Sequence, residues 1–141
     1  MSGRLPYIKR RKYPHMTGED FFIWNRFITS FPDYFDTVDY DWRVGDGMKL
    51  DPSWEDSFKR MAKAITQKRI DVLGWNGDLP TIVELKRSVG LSTLGQILGY
   101  KTLFMNEFPY FGTPKLLVLT ELIGEDDQLI MDKFKIRVMV I

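Results

Sequence analysis

Two segments near the middle of the chain, 69–75 and 81–87, alternate between apolar and charged positions. Both are rich in β-branched and aliphatic residues, and successive side chains of a strand point to opposite faces of a sheet. The pattern therefore predicts two β-strands. The segment between them contains Asn76-Gly77, a strong turn signal, so we expect the strands to form a hairpin.

The length of the turn decides which residues face each other across this hairpin. A four-residue loop would pair Trp75 with Pro80 and place Asp71 directly opposite Glu84. A two-residue turn would leave Glu84 one diagonal position away from Asp71. In both registers the two carboxylates share a face of the sheet with Lys86.

Two carboxylates at opposed strand positions would lie about 5 Å apart. At that distance they repel each other unless a cation or a proton lies between them. Mg²⁺, which binds one or two carboxylates and keeps several waters, would satisfy both. Lys86 would then orient or deprotonate the attacking water, or neutralise charge on a phosphate. On spacing alone, a solvated sheet face with a cross-strand ion pair is an equally weighted alternative.

Segment 90–105 has the pattern of a helix, and Gln96 and Tyr100 lie one turn apart on one of its faces. An acid, a short loop, Glu-x-Lys and then this helix, in that order, resemble the PD-(D/E)XK nuclease superfamily, in particular its RecB and phage-exonuclease branch. The residues that carry the resemblance are Asp71, Glu84-Leu85-Lys86 and Gln96-x-x-x-Tyr100.

The resemblance covers roughly 69–120, about a third of the chain. It departs from the family's name motif at one position, because Ile70 stands where the motif has a proline before Asp71. Many members lack that proline, so the departure weakens the match only slightly.

The resemblance implies an α+β fold, an α/β sandwich with a restriction-endonuclease-like core. In this fold a central mixed sheet of four to five strands is flanked by helices. The resemblance also implies Mg²⁺ or Mn²⁺ as cofactor, bound by Asp71, Glu84 and the carbonyl of Leu85. Lys86 would serve the attacking water.

The resemblance gives further roles outside the hairpin. Gln96 and Tyr100 would hold the site or the nucleic-acid strand. Some members of the family carry another acidic metal ligand on the first helix. Glu19 is the best match to that ligand, followed by Asp20 and then by Glu55.

Two more helices and three more strands are predicted around this segment, together with a short helix or turn over 124–133. The first helix begins with Thr17 as its amino-terminal cap. Its apolar residues cover more than one stripe, so we expect it to be buried on two sides. These residues are Phe21, Phe22, Trp24, Phe27, Ile28 and Phe31. Strands are expected over 35–44, 115–120 and 135–141, and the last would leave an edge open to another chain.

The second helix, 52–66, is an insertion relative to the minimal nuclease core. It has an apolar stripe of Trp54, Phe58, Met61 and Ile65. Basic residues line the opposite side, namely Lys59, Arg60, Lys63 and Lys68. We expect that side to be a solvated helix face, with phosphate contact as the alternative.

The composition limits the classes of protein to which the chain can belong. At 141 residues, with 44% hydrophobic and 28% charged residues, the chain has the size of one globular domain. It has no cysteine, which excludes disulfides and thiolate metal sites, and a single histidine, His15, argues against a zinc site. No apolar run approaches the ~20 residues needed to cross a bilayer, and no signal peptide is visible. We therefore expect an intracellular or virion-associated protein without membrane contact.

The net charge is only +1, but basic residues are concentrated at the amino end. We interpret 1–16 as a basic arm and 17–141 as a single nuclease-like domain. The arm would track a phosphate backbone, with Tyr7 and Tyr13 stacking on bases; a solvated terminus is the alternative. Its basic residues are Arg4, Lys9, Arg10, Arg11 and Lys12.

These features predict a Mg²⁺-dependent nuclease that hydrolyses phosphodiester bonds, with DNA as the expected substrate. The alternative is a catalytically idle component on the same fold, which binds nucleic acid or helps to assemble a larger particle such as a phage. Protein partners would then bind through the basic arm or the carboxyl-terminal edge strand. A plain α+β scaffold with a fortuitous Glu-x-Lys is a third interpretation.

Overall fold

The computed structural model describes residues 3–16, 18–48 and 51–141. The helices of this part of the chain are α1 (Gly18–Ser30), α2 (Asp56–Thr66), α3 (Leu91–Glu107) and α4 (Glu125–Lys133). The strands are β1 (Leu5–Pro6), β2 (Thr37–Val44), β3 (Lys68–Asn76), β4 (Leu79–Ser88), β5 (Lys115–Leu122) and β6 (Arg137–Val140). Thr17, the predicted cap of α1, lies outside the described residues. None of the described helices is both long enough and apolar enough to span a membrane.

The strands form one sheet in the order β1-β2-β3-β4-β5-β6. The first four pair antiparallel, whereas β5 runs parallel to β4 and β6 runs parallel to β5. The predicted α+β fold with a mixed sheet flanked by helices is therefore confirmed. The described sheet has six strands, where four or five were predicted.

The additional strand, β1, belongs to the segment interpreted as a basic arm. Leu5 and Pro6 pair with Val38 and Thr37 of β2. The sequence gives no sign of this strand, because two residues are too few to show an alternating pattern. A proline, which has no N–H to donate, is tolerated at such an edge.

The hairpin of β3 and β4 has the register predicted from a four-residue loop, with Trp75 paired to Pro80. The pairing extends one residue further, so the turn itself contains two residues. Gly77 lies in this turn with a φ of 60°, a conformation that glycine adopts without steric cost. Continued to its open end, the same register places Asp71 opposite Glu84.

The sheet separates two layers of buried apolar side chains. One face is covered by α1, which contributes Ile23, Trp24 and Phe27 to the core on that side. The other face is covered by α3 and α4, through residues such as Ile97 and Met131. The sheet thus lies between α1 on one side and α3 and α4 on the other.

Helix α1 is buried on one side only, so the prediction of burial on two sides is wrong. Its residues Ile23, Trp24 and Phe27 are fully buried, whereas Phe22 is 59% exposed and Phe31, just beyond the helix, is 38% exposed. One sheet face provides a single packing surface. The remaining aromatic rings of α1 therefore stay at the surface.

Helix α2, between β2 and β3, has no buried residue. Trp54, Phe58, Met61 and Ile65, its predicted apolar stripe, are each more than half exposed. The helix is therefore present as predicted from the sequence, but its stripe does not join the core of the described chain.

Two glycines provide a test of the packing. Gly95 lies in the interior of α3, and a Cβ atom at this position would have no neighbour within 4 Å. We expect Gly95→Ala to raise the free energy of unfolding by about 0.5–1 kcal/mol, since alanine favours the helix over glycine. A Cβ at Gly74 would overlap the ring of Phe35, so Gly74→Ala should lower stability by about 1–3 kcal/mol. Urea denaturation measures both changes, and a destabilising Gly95→Ala would contradict the described surface of α3.

Candidate functional site

The backbone pairing of β3 is interrupted at Asp71. In the ladder with β2, pairs are formed by residues on either side of this position, but Asp71 has no partner. The ladder with β4 ends at Val72 paired to Val83, one residue before Asp71 would meet Glu84. Asp71 is thus the residue of β3 at which both neighbouring strands lose their regular pairing.

The alternation of β3 also fails at this point. Ile70 packs in the layer beneath α3, whereas Val72 packs in the layer beneath α1, although residues two apart in a regular strand share a face. The sequence-based placement of Asp71 on one face with Glu84 assumed an unbroken alternation. The structure places Asp71 at the point where the strand changes faces, and the charge of Asp71 still raises the pKa of Glu84, so the two residues lie near each other.

The neighbouring strand β2 changes faces at the same level. Tyr40 packs in the α1 layer and Trp42 in the α3 layer. Between them Asp41 has a φ of 54°, in the left-handed region that aspartate adopts more readily than most residues. Backbone irregularities of this kind are frequent beside functional sites.

Among the acids of the site, Glu84 and Asp71 have the carboxyl groups whose pKa values are raised most. The Glu84 residue is only 5% exposed. Within the described residues, neither carboxyl group forms a hydrogen bond or an ion pair. Burial, together with the charge of Asp71, raises the pKa of Glu84 to about 8. Burial, together with the charges of Asp20 and Asp41, raises the pKa of Asp71 to about 6.

Lys86 is the cation of this group. Its charge lowers the pKa of Glu84, Asp71 and Asp20, which indicates that its ammonium group lies near all three carboxyl groups. In the described part of the chain it has no carboxylate within ion-pair distance. Its charge is therefore not neutralised by a single acid.

The acid that α1 brings to the site is Asp20, although Glu19 was the first choice from the sequence. The Glu19 carboxylate accepts a hydrogen bond of 2.9 Å from Arg87 at the surface. Asp20 instead raises the pKa of both Asp71 and Glu84. Glu55 precedes α2, whose residues are all outside the core. Consecutive residues of a helix point about 100° apart, so the sequence alone does not decide between Glu19 and Asp20.

Tyr100 of α3 lies beside the two acids, whereas the structure shows no contact between Gln96 and them. Burial, followed by the charges of Glu84 and Asp71, raises the pKa of Tyr100 to about 12. Its hydroxyl group thus keeps its proton at neutral pH and can donate a hydrogen bond. Gln96 and Tyr100 line one shallow groove together with Lys68.

A cluster that the sequence did not predict flanks Asp71. His15 Nε2 lies 3.2 Å from Asp41 Oδ2, and Arg69 Nη1 lies 3.8 Å from Asp41 Oδ1. His15 lowers the pKa of Asp71 through its charge, whereas Asp41 raises it. His15 is far from β3 in the sequence and belongs to no motif, so no sequence signal connects it with the site.

The donor set suits a divalent cation in part. Glu84 is a buried carboxyl group without a hydrogen-bond partner in the described chain, opposite a second acid, and hard oxygen donors of this kind are preferred by Mg²⁺. Leu85, the predicted carbonyl ligand, lies in the stretch of β4 beyond its pairing with β3. Across residues 3–16, 18–48 and 51–141, however, no three acidic or histidine side chains are close enough together to hold a metal among them.

The basic residues of the arm occupy two different environments. Arg4 is held by Asp39, whose Oδ1 lies 3.8 Å from Arg4 Nε. Lys9, Arg10, Arg11 and Lys12 are exposed and have no acidic partner in the described residues.

The two tyrosines of the arm are not available for stacking. Tyr7 is 6% exposed and Tyr13 is 4% exposed, because both pack among the aromatic residues around α1. The expectation that they stack on bases is therefore wrong. Phe22 and Phe31 are the exposed rings beside the arm, and they line a groove of about 1160 Å³ with Lys9, Arg10 and Arg11.

Comparison with known proteins shows which fold this chain shares. No protein-family profile matches the chain, and no curated protein matches its sequence. A repair endonuclease from Pyrococcus abyssi is similar in structure, with a TM-score of 0.52 and 13% identity over 90% of this chain and 49% of that one. EndoMS in complex with double-stranded DNA is also similar, with a TM-score of 0.52 and 13% identity over 95% of this chain and 48% of that one. The chain thus spans about half the length of each, and it shares the fold of these endonucleases.

The carboxyl pair predicts an unusual pH dependence of stability in the absence of divalent metal. The pKa of Glu84 is about 8 in the folded protein, against 4.5 for an ordinary glutamate. Between these values the folded protein binds more protons than the unfolded chain, so stability falls as pH rises. We expect the chelator-treated protein to melt at a lower temperature at pH 8 than at pH 5.

Glu84→Gln should remove most of this loss. At pH 8 the variant should be more stable than the parent by about 2 kcal/mol, because it avoids ionising a buried group, whereas at pH 5 the two should be similar. Glu125→Gln, at an exposed position of α4, is the matched control and should keep the parental profile. Equal pH profiles for the parent and Glu84→Gln would show that the pKa of Glu84 is not raised in the folded protein.

Proposed function

We propose that the chain is a divalent-metal-dependent nuclease that hydrolyses phosphodiester bonds in nucleic acid, with DNA as its substrate. The observation that carries the proposal is the buried, unpartnered Glu84 carboxyl group opposite Asp71, with Lys86 beside both. This group resembles the Asp and Glu-x-Lys set of PD-(D/E)XK nucleases. The fold shared with two repair endonucleases supports the same class of activity.

Asp71 and Glu84 would hold Mg²⁺ or Mn²⁺, with the carbonyl of Leu85 as a further ligand. Asp20 replaces Glu19 as the proposed acid from α1, because it is Asp20 whose charge reaches the pair. Such an ion polarises a phosphate and lowers the pKa of a bound water. It would also offset the burial and the mutual repulsion that raise the pKa of both carboxyl groups.

The remaining residues act on the substrate directly. Lys86 would neutralise the charge that develops on the phosphate as the bond breaks. Tyr100, which remains protonated, would donate a hydrogen bond to a substrate oxygen, and Gln96 would contact the strand along the same groove. These roles require only that the scissile phosphate enters between α1 and α3.

The exposed part of the arm would bind the nucleic acid away from the reaction centre. Lys9, Arg10, Arg11 and Lys12 would neutralise phosphates. Phe22 and Phe31, in the adjacent groove, take the stacking role first given to the buried tyrosines.

A second function, nucleic-acid binding without cleavage, is favoured by one observation. The described residues do not gather three potential metal ligands, whereas the basic surface is already exposed and accessible. In this case the chain would bind DNA through the arm, and divalent metal would change neither the length of the strand nor the stability of the protein. Titration with Mg²⁺ separates the two functions.

Cleavage of labelled DNA in the presence of Mg²⁺ or Mn²⁺ tests the nuclease. We expect Asp71→Asn, Glu84→Gln and Lys86→Met each to lower the rate by about 100-fold or more, since charged groups at the reacting phosphate contribute several kcal/mol. Mg²⁺ should raise the melting temperature of the parent protein but not of Glu84→Gln. Undiminished cleavage by a purified Glu84→Gln/Lys86→Met double variant would end the assignment.

The two acids of α1 form a matched pair for the same assay. Asp20→Asn should reduce cleavage and weaken the stabilisation by Mg²⁺. Glu19→Gln, one residue away, should change neither by more than about twofold, because an exposed pair such as Glu19–Arg87 contributes little. If Glu19→Gln reduced cleavage more than Asp20→Asn, Glu19 would be the metal-binding acid of α1.

Binding to the arm is tested at several salt concentrations. Lys9→Ala/Arg10→Ala/Arg11→Ala should weaken DNA binding regardless of sequence and reduce the slope of log K against log salt by about 2–3. Phe22→Ala should lower affinity for single-stranded DNA by about 10-fold or more, as expected for the loss of one stacking contact. Lys115→Ala/Lys133→Ala, at exposed positions outside this groove, is the control. If the triple variant keeps the salt slope of the parent protein, the arm is excluded as the DNA-binding surface.

A further inference from the structure

A turn shortly before α1 carries a residue that its backbone does not favour. Met16 N donates to the carbonyl of Tyr13 at 3.3 Å, which closes a turn over 13–16. Pro14 occupies the second position of this turn, and His15 occupies the third with a φ of 54°. These are the features of a type II turn, whose third position favours glycine or asparagine because φ is positive there. The reason for a histidine at this position must then lie in its side chain.

The side chain of His15 contacts a second residue with the same unusual backbone conformation. His15 Nε2 lies 3.2 Å from Asp41 Oδ2, and Asp41 also has a φ of 54°. Among the described residues other than glycine, only these two and Lys135 have a positive φ. Strained backbone persists where the surrounding structure determines it, and it clusters at functional sites. Two of the three strained residues thus contact each other, and both act on Asp71.

Arg69 is the third member of this cluster. Its Nη1 lies 3.8 Å from Asp41 Oδ1 and 3.3 Å from each ring nitrogen of His15. An atom this close to both nitrogens lies out of the ring plane, because an in-plane position would overlap the carbon between them. The guanidinium group therefore lies against a face of the imidazole ring. Its Nη2 also donates to the carbonyl of Ala64 at 3.3 Å, so three neighbours hold the group in place.

The guanidinium group of Arg69 retains donors for a ligand. It has five N–H groups, and its hydrogen-bond partners in the described chain are the Ala64 carbonyl and the His15 ring. Asp41 is at ion-pair distance only. The Arg69 side chain is 30% exposed, so a ligand can reach it from solution. A planar fork of N–H donors matches the oxygens of a phosphate.

A second arginine faces Arg69 across the sheet. Arg43 of β2 is the direct cross-strand partner of Arg69. Trp42 and Ile70, one residue along each strand, pack beneath α3, so both arginines point to the opposite face of the sheet. Cβ atoms of opposed residues lie about 5 Å apart, where like charges are destabilising. Arg43 is exposed and forms no ion pair with a described residue, so the pair carries more positive charge than Asp41 neutralises.

The cluster lies beside the proposed metal ligands. Burial is the main cause of the raised pKa of Asp71, but Asp41 raises it further and His15 lowers it. Arg69 precedes Asp71 by two residues on β3, roughly 7 Å along a strand. That distance is comparable to the spacing of successive phosphates in nucleic acid. A groove of about 630 Å³, to which Asp41 and Arg43 both contribute, gives a strand room beside the cluster.

We propose that Arg69 and Arg43 bind the phosphate next to the scissile one. His15 and Asp41 are positioning residues, which hold the guanidinium group of Arg69. A phosphate between the two arginines neutralises their mutual repulsion, and it places its neighbour in the strand at the acids. The ligand is thus a phosphodiester of the substrate, and the inference rests on the proposed nuclease function for which phosphate this is.

Binding of a labelled oligonucleotide to the Asp71→Asn/Glu84→Gln protein tests the site without cleavage. In this background the two acids carry no charge that repels a phosphate. Arg69→Met and Arg43→Met should each weaken binding by about 10-fold, as for a lost charge-assisted hydrogen bond, and lower the slope of log K against log salt by about 1. Arg137→Met removes an exposed arginine at the opposite edge of the sheet, and as the control it should change affinity by less than about twofold.

Melting temperatures separate a role in binding from a role in folding. His15→Gly should melt no lower than the parent, because glycine adopts a positive φ without steric cost. Arg43→Met should also melt no lower, since it removes the repulsion from Arg69. His15→Gly should nevertheless weaken oligonucleotide binding by about threefold or more, because Arg69 is then less preorganised. A lower melting temperature with parental affinity would show that His15 is a structural residue only.

Cleavage by the protein with intact acids identifies the phosphate. Arg69→Met should raise KM by about 10-fold and change kcat by less than about threefold, since it removes binding and no group at the reacting bond. Product length shows which linkage is cleaved in an oligonucleotide that carries one neutral methylphosphonate. A methylphosphonate beside that linkage should lower kcat/KM of the parent and have no additional effect on Arg69→Met, because both changes remove the same contact.

Two results would overturn the proposal. One is parental affinity and parental salt slope in both Arg69→Met and Arg43→Met. The other is a methylphosphonate effect that persists in full in Arg69→Met, which would assign the neighbouring phosphate to other residues. If the chain does not cleave DNA, the nuclease proposal is wrong and the binding measurement decides alone. Weaker binding by the two arginine variants then supports a phosphate site beside the acids, and parental binding excludes it.

Discussion

The apposition of the buried Glu84 carboxyl group and the partly buried Asp71 carboxyl group is the constraint on which the rest of the site depends. Such groups are destabilising when both are ionised, because burial removes their hydration and each repels the other. The protein places them at the open end of the hairpin, between apolar layers that are fully packed. The core thereby supports a pair that, without a cation or protons, opposes folding at neutral pH. The protein is therefore less stable than it would be with an ordinary solvated polar face at this place. Such a loss is common at sites where polar groups must stay unpaired in order to bind a ligand.

The backbone around the pair explains how the acids escape ordinary sheet pairing. Asp41 adopts a left-handed conformation, and β2 and β3 change faces together at Asp41 and Asp71. A non-glycine residue in this conformation costs of order 1–3 kcal/mol and persists only where neighbours determine it. Here His15 and Arg69 contact the Asp41 carboxylate. The segment that precedes α1 is thus part of the support of the site, and its basic residues extend from that support.

The sequence predicts the parts of this arrangement that depend on local pattern. Alternation located the hairpin, and the Asn-Gly signal located its turn, because both are properties of a few adjacent residues. Features that depend on distant contacts were missed. The choice between Glu19 and Asp20 depends on the rotation of α1 over the sheet, and the burial of Tyr7 and Tyr13 depends on a two-residue strand. The apolar stripe of α2 correctly predicted a helix, but amphipathicity does not specify whether the partner surface belongs to the same chain.

Basic and acidic residues of this protein are grouped in separate segments. The net charge of +1 therefore says little about the charge at any one surface. Exposed charges interact over a Debye length of about 8 Å at physiological salt, so a phosphate near Glu84 experiences the nearby acids and Lys86, not the whole molecule. Without a cation, each of the nearby carboxyl groups that is ionised would repel a phosphate and offset the attraction of that one lysine. With a bound cation, the same end of the sheet would attract the phosphate. In the proposed nuclease, the exposed basic residues of the arm would act earlier, since they would attract a nucleic-acid strand before any phosphate approaches the acids. If the chain is the proposed nuclease, the separation of bases in the arm from acids at the strand ends would make nucleic-acid binding independent of metal, whereas the approach of a phosphate to Glu84 would require it.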